Sequence, residues 1–568
     1  MAVLPLMAAV TWLGCGSTAL STELFGDGEL AGSGAAIAGS GAAGQRAGAP
    51  AEGTAGVGRG GAGRIATTPL AGNGSLPLGG IGGFPTTPPN GKFDGGLPLP
   101  PITFPNMPTD AGVATQVACS ADSTYRGSVV IRSAADITRI KGCRRITGDL
   151  QIAAAAITDL QGLEGLQEVD GMLQIAPMLP ARAGDAPGAG VSALTDLSGL
   201  SGLTTLGALD LDYLSITSLA AFGHLQSASI VHFSHLDGLL DLSGLGSLGS
   251  DVQIEISDSA SLMTLNGLQF QHARTLTLSD DPKLVDLTGA VGSDGVGLGE
   301  LSLTNLPSLT RLTGLESAPA ATSIQIQQCD ALLDLSGLDQ LQTIGNLTLV
   351  DDQRFATLSG APLLSAIRQA LVLNRLPAFS SAVGLSKLTT MQELQVSATR
   401  VLTSLTGFES VTALSSLEVS DNVALQNLKG IDNVKQIDSV MLTRNSALQS
   451  LDGLPKLDRL QQLMLDSNPL LTSLAALSSY LMIDAISVTS DEALVDFSGL
   501  EQLSTVANTF TITGDSSLTS LHALKSLTKI GSLQLARNQR LPQCEIDWLT
   551  AQAHIATVMG DGPQGTCP

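Results

Sequence analysis

One twelve-residue pattern recurs along the C-terminal three-quarters of the chain, and few folds can accommodate it. In Leu463-Met464-Leu465-Asp466-Ser467-Asn468-Pro469-Leu470-Leu471-Thr472-Ser473-Leu474, apolar residues stand at the first, third, ninth and twelfth places, and Asn at the sixth. The same frame fits Leu417, Val419, Asn422, Leu425 and Leu428, then Val440, Leu442, Asn445, Leu448 and Leu451. It fits Leu533, Leu535, Asn538 and Leu541, and earlier Ile254, Ile256, Leu262 and Leu265, and Val231, Phe233, Leu239 and Leu242. The starts Leu394, Leu417, Val440, Leu463 and Ile486 are each 23 residues apart by subtraction. About 18 units run from Val129 to Leu533, and a break around Pro180–Gly190 reads as a loop inserted in the third unit.

A run with this spacing buries its leucines only by stacking on copies of itself. The first and third residues of the frame point to one side of an extended strand, and their neighbours to the other. The triplet spacing that follows brings the chain back with a leucine inward at each step. One unit cannot close a core, but stacked units share one. The pattern predicts a mostly β solenoid of ~23-residue units with a parallel sheet, a rod of roughly 85 Å at ~4.8 Å per strand.

Composition agrees with a core of this kind. Aromatics make up only 3% of 568 residues, so the core must come from Leu, Ile, Val and Ala and not from large rings. The formal net charge of −23 repels phosphate backbones, which argues against a nucleic-acid partner. It also disfavours docking on anionic lipid through a basic patch. Acidity of this degree keeps a long exposed surface soluble.

The segment before the repeats has a different character. Ala2–Leu13 is apolar and too short to span a bilayer, and it fits the core of a signal peptide over residues 1–15. Trp12-Leu13-Gly14-Cys15-Gly16-Ser17 resembles a bacterial lipobox, in which the chain is cut before Cys15 and the thiol is lipidated. Leu stands one place later than usual, and no Lys or Arg precedes the apolar run. Lipid anchoring at the cell surface and plain secretion are both open. Residues 16–118 are rich in Gly, Ala, Pro, Ser and Thr and bury too little apolar surface to offset chain entropy. They are expected to form a disordered tether. Gly56-Val57-Gly58-Arg59-Gly60-Gly61 satisfies the dinucleotide pattern GxGxxG, but no strand precedes it and no helix follows, so chance explains it.

The frame of residues 119–543 resembles leucine-rich repeats. The variant Ile146-Thr147-Gly148-Asp149-Leu150-Gln151-Ile152, followed by Ile157-Thr158-Asp159-Leu160-Gln161-Gly162-Leu163, is similar to the receptor L-domain branch. That resemblance implies a right-handed, β-helix-like solenoid and an interaction role. It also implies a ladder at the sixth place, where Asn bonds backbone groups of its own turn and the next. Asn422, Asn445, Asn468 and Asn538 occupy that place, and Asp281, Asp352, Asp491 and Asp515 do so in other units. Leu214, Leu236, Leu306 and Leu376 interrupt it, which makes a regular ladder doubtful in the N-terminal half. Cys329 takes the same place after Ile324 and reads as a buried weak donor.

The other cysteines bracket the ends. Cys119 and Cys143 enclose the first unit, and Cys544 and Cys567 enclose the last segment. A solenoid exposes its core at both ends and needs caps. Two local disulfides there, worth ~3 kcal/mol each, would staple an N-terminal cap at 119–143 and a C-terminal cap at 544–568. Ile546, Leu549, Ala553 and Ile555 are spaced for a short covering helix within Cys544–Val558. Such bonds fit an exported chain.

Chemistry is harder to find. No HExxH, GxSxG or phosphate-binding GxxxxGKS/T motif occurs, and no CxxC pair suggests zinc. His232 and His235 stand on the strand and on the turn, where three residues of separation need not bring them together. Asp210 and Asp212 share an outward face, and Asp280-Asp281 and Asp351-Asp352 lie at turns; all read as solvated acids. No catalytic residue, cofactor or metal site is expected. The outward sheet face is the candidate binding surface, through Gln253, Glu255, Thr275, Thr277, Gln325, Gln327, Glu393, Gln395, Glu418, Thr509 and Thr511. The expected role is a non-enzymatic cell-surface or secreted interaction or adhesion protein with a protein or glycan partner. A structural spacer of the cell envelope is the alternative, and an extracellular carbohydrate-active β-helix enzyme a distant one.

Overall fold

The structure is a computed structural model that describes residues 119–177, 192–290 and 297–560. The expected signal segment with Cys15, the tether over 16–118, the insertion over Pro180–Gly190 and Cys567 all lie outside the described residues.

The frame starts align strand on strand. Val129 pairs with Leu150, Leu150 with Leu173 and Leu173 with Leu209. The column continues through Val231, Ile254, Leu276, Leu301, Ile324, Leu347 and Leu371. It goes on through Leu394, Leu417, Val440, Leu463, Ile486, Phe510 and Leu533. Among the described residues the result is a parallel sheet of 21 strands, wound as a solenoid of about 18 turns with few helices. A one-residue slip would turn every inward leucine outward, so the apolar pattern itself holds this register.

Several turns carry a β-bulge in the strand. In Glu168–Ala176 the register shifts between Val169 and Met172, and similar shifts follow Ile344, Ile367, Ile483 and Val506. In the preceding turn the two halves are separate strands, Arg145–Ile146 and Leu150–Ala153, each pairing with part of Glu168–Ala176. Isolated parallel bridges at Ser247–Gln269, Thr357–Ser381 and Ser450–Ser473 mark a further stacked side.

A glycine column closes the turns. Gly430 and Gly453 are typical, with φ of +122° and +107°. A Cβ on Gly430 would stand 1.9 Å from the Leu405 oxygen of the turn before, so no side chain fits between the coils. Where Ala221, Ala476 or Ala523 takes this place, the chain instead makes one turn of 3-10 helix, at Ala220–Phe222, Ala475–Leu477 and His522–Leu524. Gly199 behaves like the alanines.

Both ends are covered. Cys119 and Cys143 form a disulfide with Cα atoms 5.6 Å apart, beside helix α1, Ala134–Ile140, which buries Ile137 and Ile140. At the other end helix α2, Gln543–Gln552, buries Ile546 and Leu549. The helix does not extend to Val558. His554–Gly560 forms a further strand, with Val558 in register with Leu533. The frame hid this strand because α2 replaces the leucine triplets that elsewhere announce the next start.

Candidate functional site

Alternation along each strand sends the second and fourth residues of the frame outward, and parallel register lines them up in rows. Gln174, Asp210, His232, Glu255 and Thr277 form one row. Asp212, Ser234, Ser257 and Ser279 form the other. The N-terminal part of these rows is a bonded polar cluster. Gln174 Nε2 donates to Asp210 Oδ2 at 2.8 Å, and His232 Nδ1 lies 2.8 Å from Asp210 Oδ1. Ser234 Oγ donates to Asp212 Oδ1. His235 Nδ1 stands 3.6 Å from that same oxygen, and its ring stacks on Tyr213 with centroids 3.7 Å apart.

One expectation needs correction. Asp210 and Asp212 are not solvated, being 2% and 4% exposed. His232 and His235 meet different acids, Asp210 and Asp212, because parallel pairing sets residues 22 and 23 apart side by side. Burial disfavours a charge on His232, but the Asp210 hydrogen bond and the charges of Asp210, Glu255 and Asp212 outweigh it and raise its pKa. Burial, together with the charge of Asp210, raises the Asp212 carboxyl against the opposing Ser234 bond and the two histidines. The same nitrogen of His235 faces both Ser234 and Asp212, so these three do not form a nucleophile–base–acid relay, which uses both ring nitrogens. The cluster offers mixed donors and acceptors beside one aromatic ring, suited to hydroxyl or amide groups.

The remaining outward residues continue the second-place row or form a third one before the frame start. Glu255, Thr277, Gln325, Gln395, Glu418 and Thr511 follow the frame start, and Gln253, Thr275, Glu393 and Thr509 precede it; all ten are half-buried. Gln327 is buried at 5% exposure. Gln395 Nε2 donates to Glu393 Oε1 at 2.6 Å. Burial and then the neighbouring charge of Glu393 raise the Glu418 carboxyl.

The sixth place of the frame forms a buried ladder at the turn. Asn422, Asn445, Asn468 and Asn538 send Nδ2 to the oxygens of Val396, Val419, Leu442 and Ile512 at 2.8–3.0 Å. Their Oδ1 atoms accept the backbone N–H of Thr399, Asn422, Asn445 and Asp515. Asp491 and Asp515 continue the series without a gap. Among the described residues of the N-terminal half the rungs are short runs, Asp281 beneath Ser259 and Ser259 beneath Leu236, and Asp352 beneath Cys329. Asp281 and Asp352 are therefore buried rungs and not solvated turn acids, with 0% exposure. Cys329 is buried, and its Sγ lies 3.6 Å from the Gln327 oxygen and 3.9 Å from that of Leu303.

The residue before each rung adopts a left-handed conformation even where it is not glycine, as at Tyr213, His235, Asp351, Arg375, Asp421 and Arg444. These shoulder residues pair across turns. Arg444 grips Asp421 with two contacts of 2.7 Å, Arg375 grips Asp351, and Asn305 donates to Asp280 at 2.6 Å. Local sequence did not disclose these pairs, since only the one-turn offset of 23 to 25 residues brings the partners together.

Cys544 is disulfide-bonded; its expected partner, Cys567, lies outside the described residues. Among the described residues no group of three or more His, Cys, Asp or Glu is arranged to hold a metal ion, and no helix is long and apolar enough to cross a membrane.

No family model and no curated protein matches the chain. Among solved structures, the crystal structure of a TLR13–ssRNA13 complex is similar at 13% identity over 72% of this chain and 82% of that one. Its TM-score is 0.17, and no conclusion about this chain rests on it.

Proposed function

We propose that this chain is a non-enzymatic interaction protein of the receptor L-domain kind, which presents the outward sheet face of its solenoid to a protein or glycan partner. The carrying observation is the face itself. Hydroxyl, amide and carboxyl groups stand half-buried in register, as in the pairs Gln253–Thr275 and Glu255–Thr277, turn after turn. Such rows match an extended partner with repeating polar groups, bound weakly at each turn and over many turns. The β-bulges in several strands and the further stacked side support the L-domain reading. The lipobox-like Cys15 and the disulfide at Cys119 support export, with lipid anchoring at the cell surface or secretion as the two routes.

The test is to probe glycan and protein arrays with the full-length chain, alongside Thr277→Arg/Gln325→Arg on the face and Val495→Arg off it. Val495 is 52% exposed and outside the sheet rows. The proposal expects a ligand that the face variant loses and the off-face variant keeps. No ligand on either array, or one indifferent to the face variant, would favour a spacer and overturn the proposal.

A further inference from the structure

We infer that the four ladder aspartates, Asp281, Asp352, Asp491 and Asp515, are built into the fold as neutral carboxylic acids, each donating its own proton to a carbonyl of the preceding turn, so that the ladder is strongest in acid and loosens as the solution is brought to neutrality. The comparison with the asparagine rungs carries the inference. An Asn rung performs two tasks. Its oxygen accepts a backbone N–H from the turn before, as Asn445 does from Asn422, and its amide nitrogen donates to a strand carbonyl of that turn, as Asn445 does to Val419 at 2.9 Å.

The aspartates keep the first task unchanged. Asp281 Oδ1 accepts from Ser259, Asp352 Oδ1 from Cys329, Asp491 Oδ1 from Asn468 and Asp515 Oδ1 from Asp491, at 2.6–2.8 Å. The second oxygen of all four is buried and has no hydrogen-bond partner. By the frame it takes the place where Asn puts its donating NH2, opposite the carbonyls of Ile256, Ile326, Leu465 and Val488. A carboxylate there sets lone pairs against lone pairs in a dry site, at a cost of several kcal/mol. A carboxylic acid supplies the missing hydrogen and reproduces the asparagine pattern.

The surrounding charges favour the neutral form. Asp258 and Asp280 face Asp281, and Asp330 and Asp351 face Asp352. Asp515 and Asp466 face Asp491, and Asp466 faces Asp515. Arg375, the nearby cation, pairs with Asp351. Burial first, and these like charges second, push each of the four carboxyls up to about 7. The folded value lies above the ordinary 3.8, so the folded chain holds protons that the unfolded chain releases. The stability they contribute is complete below about pH 4 and is lost as pH rises through about 7.

The test is urea unfolding of the full-length chain from pH 4 to 9, beside Asp491→Asn/Asp515→Asn and the variant with all four aspartates replaced by Asn. Relative to the variant, the wild-type unfolding constant should rise about tenfold per pH unit for each replaced rung between about pH 4 and 7. The variants should equal the wild type in acid and exceed it at pH 9. If a variant folds poorly, the infrared band of a buried protonated carboxyl in the wild type at pH 6 gives a second readout. Equal pH slopes in wild type and variants, or absence of that band, would overturn the inference.

Discussion

Asn445 lies one turn beyond Asn422, and its Oδ1 accepts both the backbone N–H and the side-chain amide of Asn422, at 3.2 and 3.1 Å. This contact repeats between Asn445 and Asn468. It ties the turns of the C-terminal half where strand pairing has ended. Leu at the same place, as at Leu306 and Leu376, packs into the core and leaves the turn without this tie. Asn445→Leu should therefore fold and lose stability. It strands the Asn422 N–H and the Val419 carbonyl, at about 1–3 kcal/mol for each group left buried and unpaired. A lower urea midpoint with an unchanged slope would agree.

The glycine column gives a sharper contrast. Gly430→Ala places a methyl carbon 1.9 Å from the Leu405 oxygen, on a backbone with φ of +122°. The turns must part, so the expected loss is about 3 kcal/mol or more. Ala476→Gly, at the equivalent place in a 3-10 turn, should cost no more than about 1 kcal/mol. Thermal melts of both variants compare the two directly.

The shoulder position predicts a gain. Ala398 is held at φ +54°, where an L-residue is strained by about 1–2 kcal/mol. Ala398→Gly relieves that strain, offset in part by the looser unfolded chain, and should raise the melting temperature by an amount equivalent to about 1 kcal/mol. No rise would mean that the left-handed turn is not under strain.

The polar cluster carries a pH signature. The pKa of His232 is raised, so its bond to Asp210 adds stability that is complete below the ordinary histidine value and is lost as pH rises through the higher folded one. An NMR titration should place the His232 midpoint above 6.5, and Asp210→Asn should lower it. An unmoved midpoint in that variant would show that Asp210 does not hold the proton.

Much of the architecture was legible in the chain alone. The starts from Leu394 to Ile486 repeat at a fixed interval, and that interval is the strand register observed. The polar features were less legible, because each depends on a neighbour one turn away. Asp281 and Asp352 look like solvated turn acids when read with Asp280 and Asp351, yet the frame carries one residue of each pair inward and leaves the other at the shoulder. His232 gives no sign of Asp210 until the turns are stacked. The glycine column, two residues after an inward leucine in Leu428-Lys429-Gly430 and Leu451-Asp452-Gly453, went unread, because its reason, contact with the backbone of the previous coil, lies only in three dimensions.

The turns of the C-terminal half are locked to one another by the ladder. Amide hydrogen exchange on the full-length chain tests the locking most directly. The N–H groups of Thr399, Asn422, Asn445, Asn468, Asp491 and Asp515 lie at turns, yet each donates to the side chain of the next rung. Protection as strong as that of Leu417, Val440 and Leu463 in the strands is the predicted result. Fast exchange at these six amides beside slow strands would contradict the account.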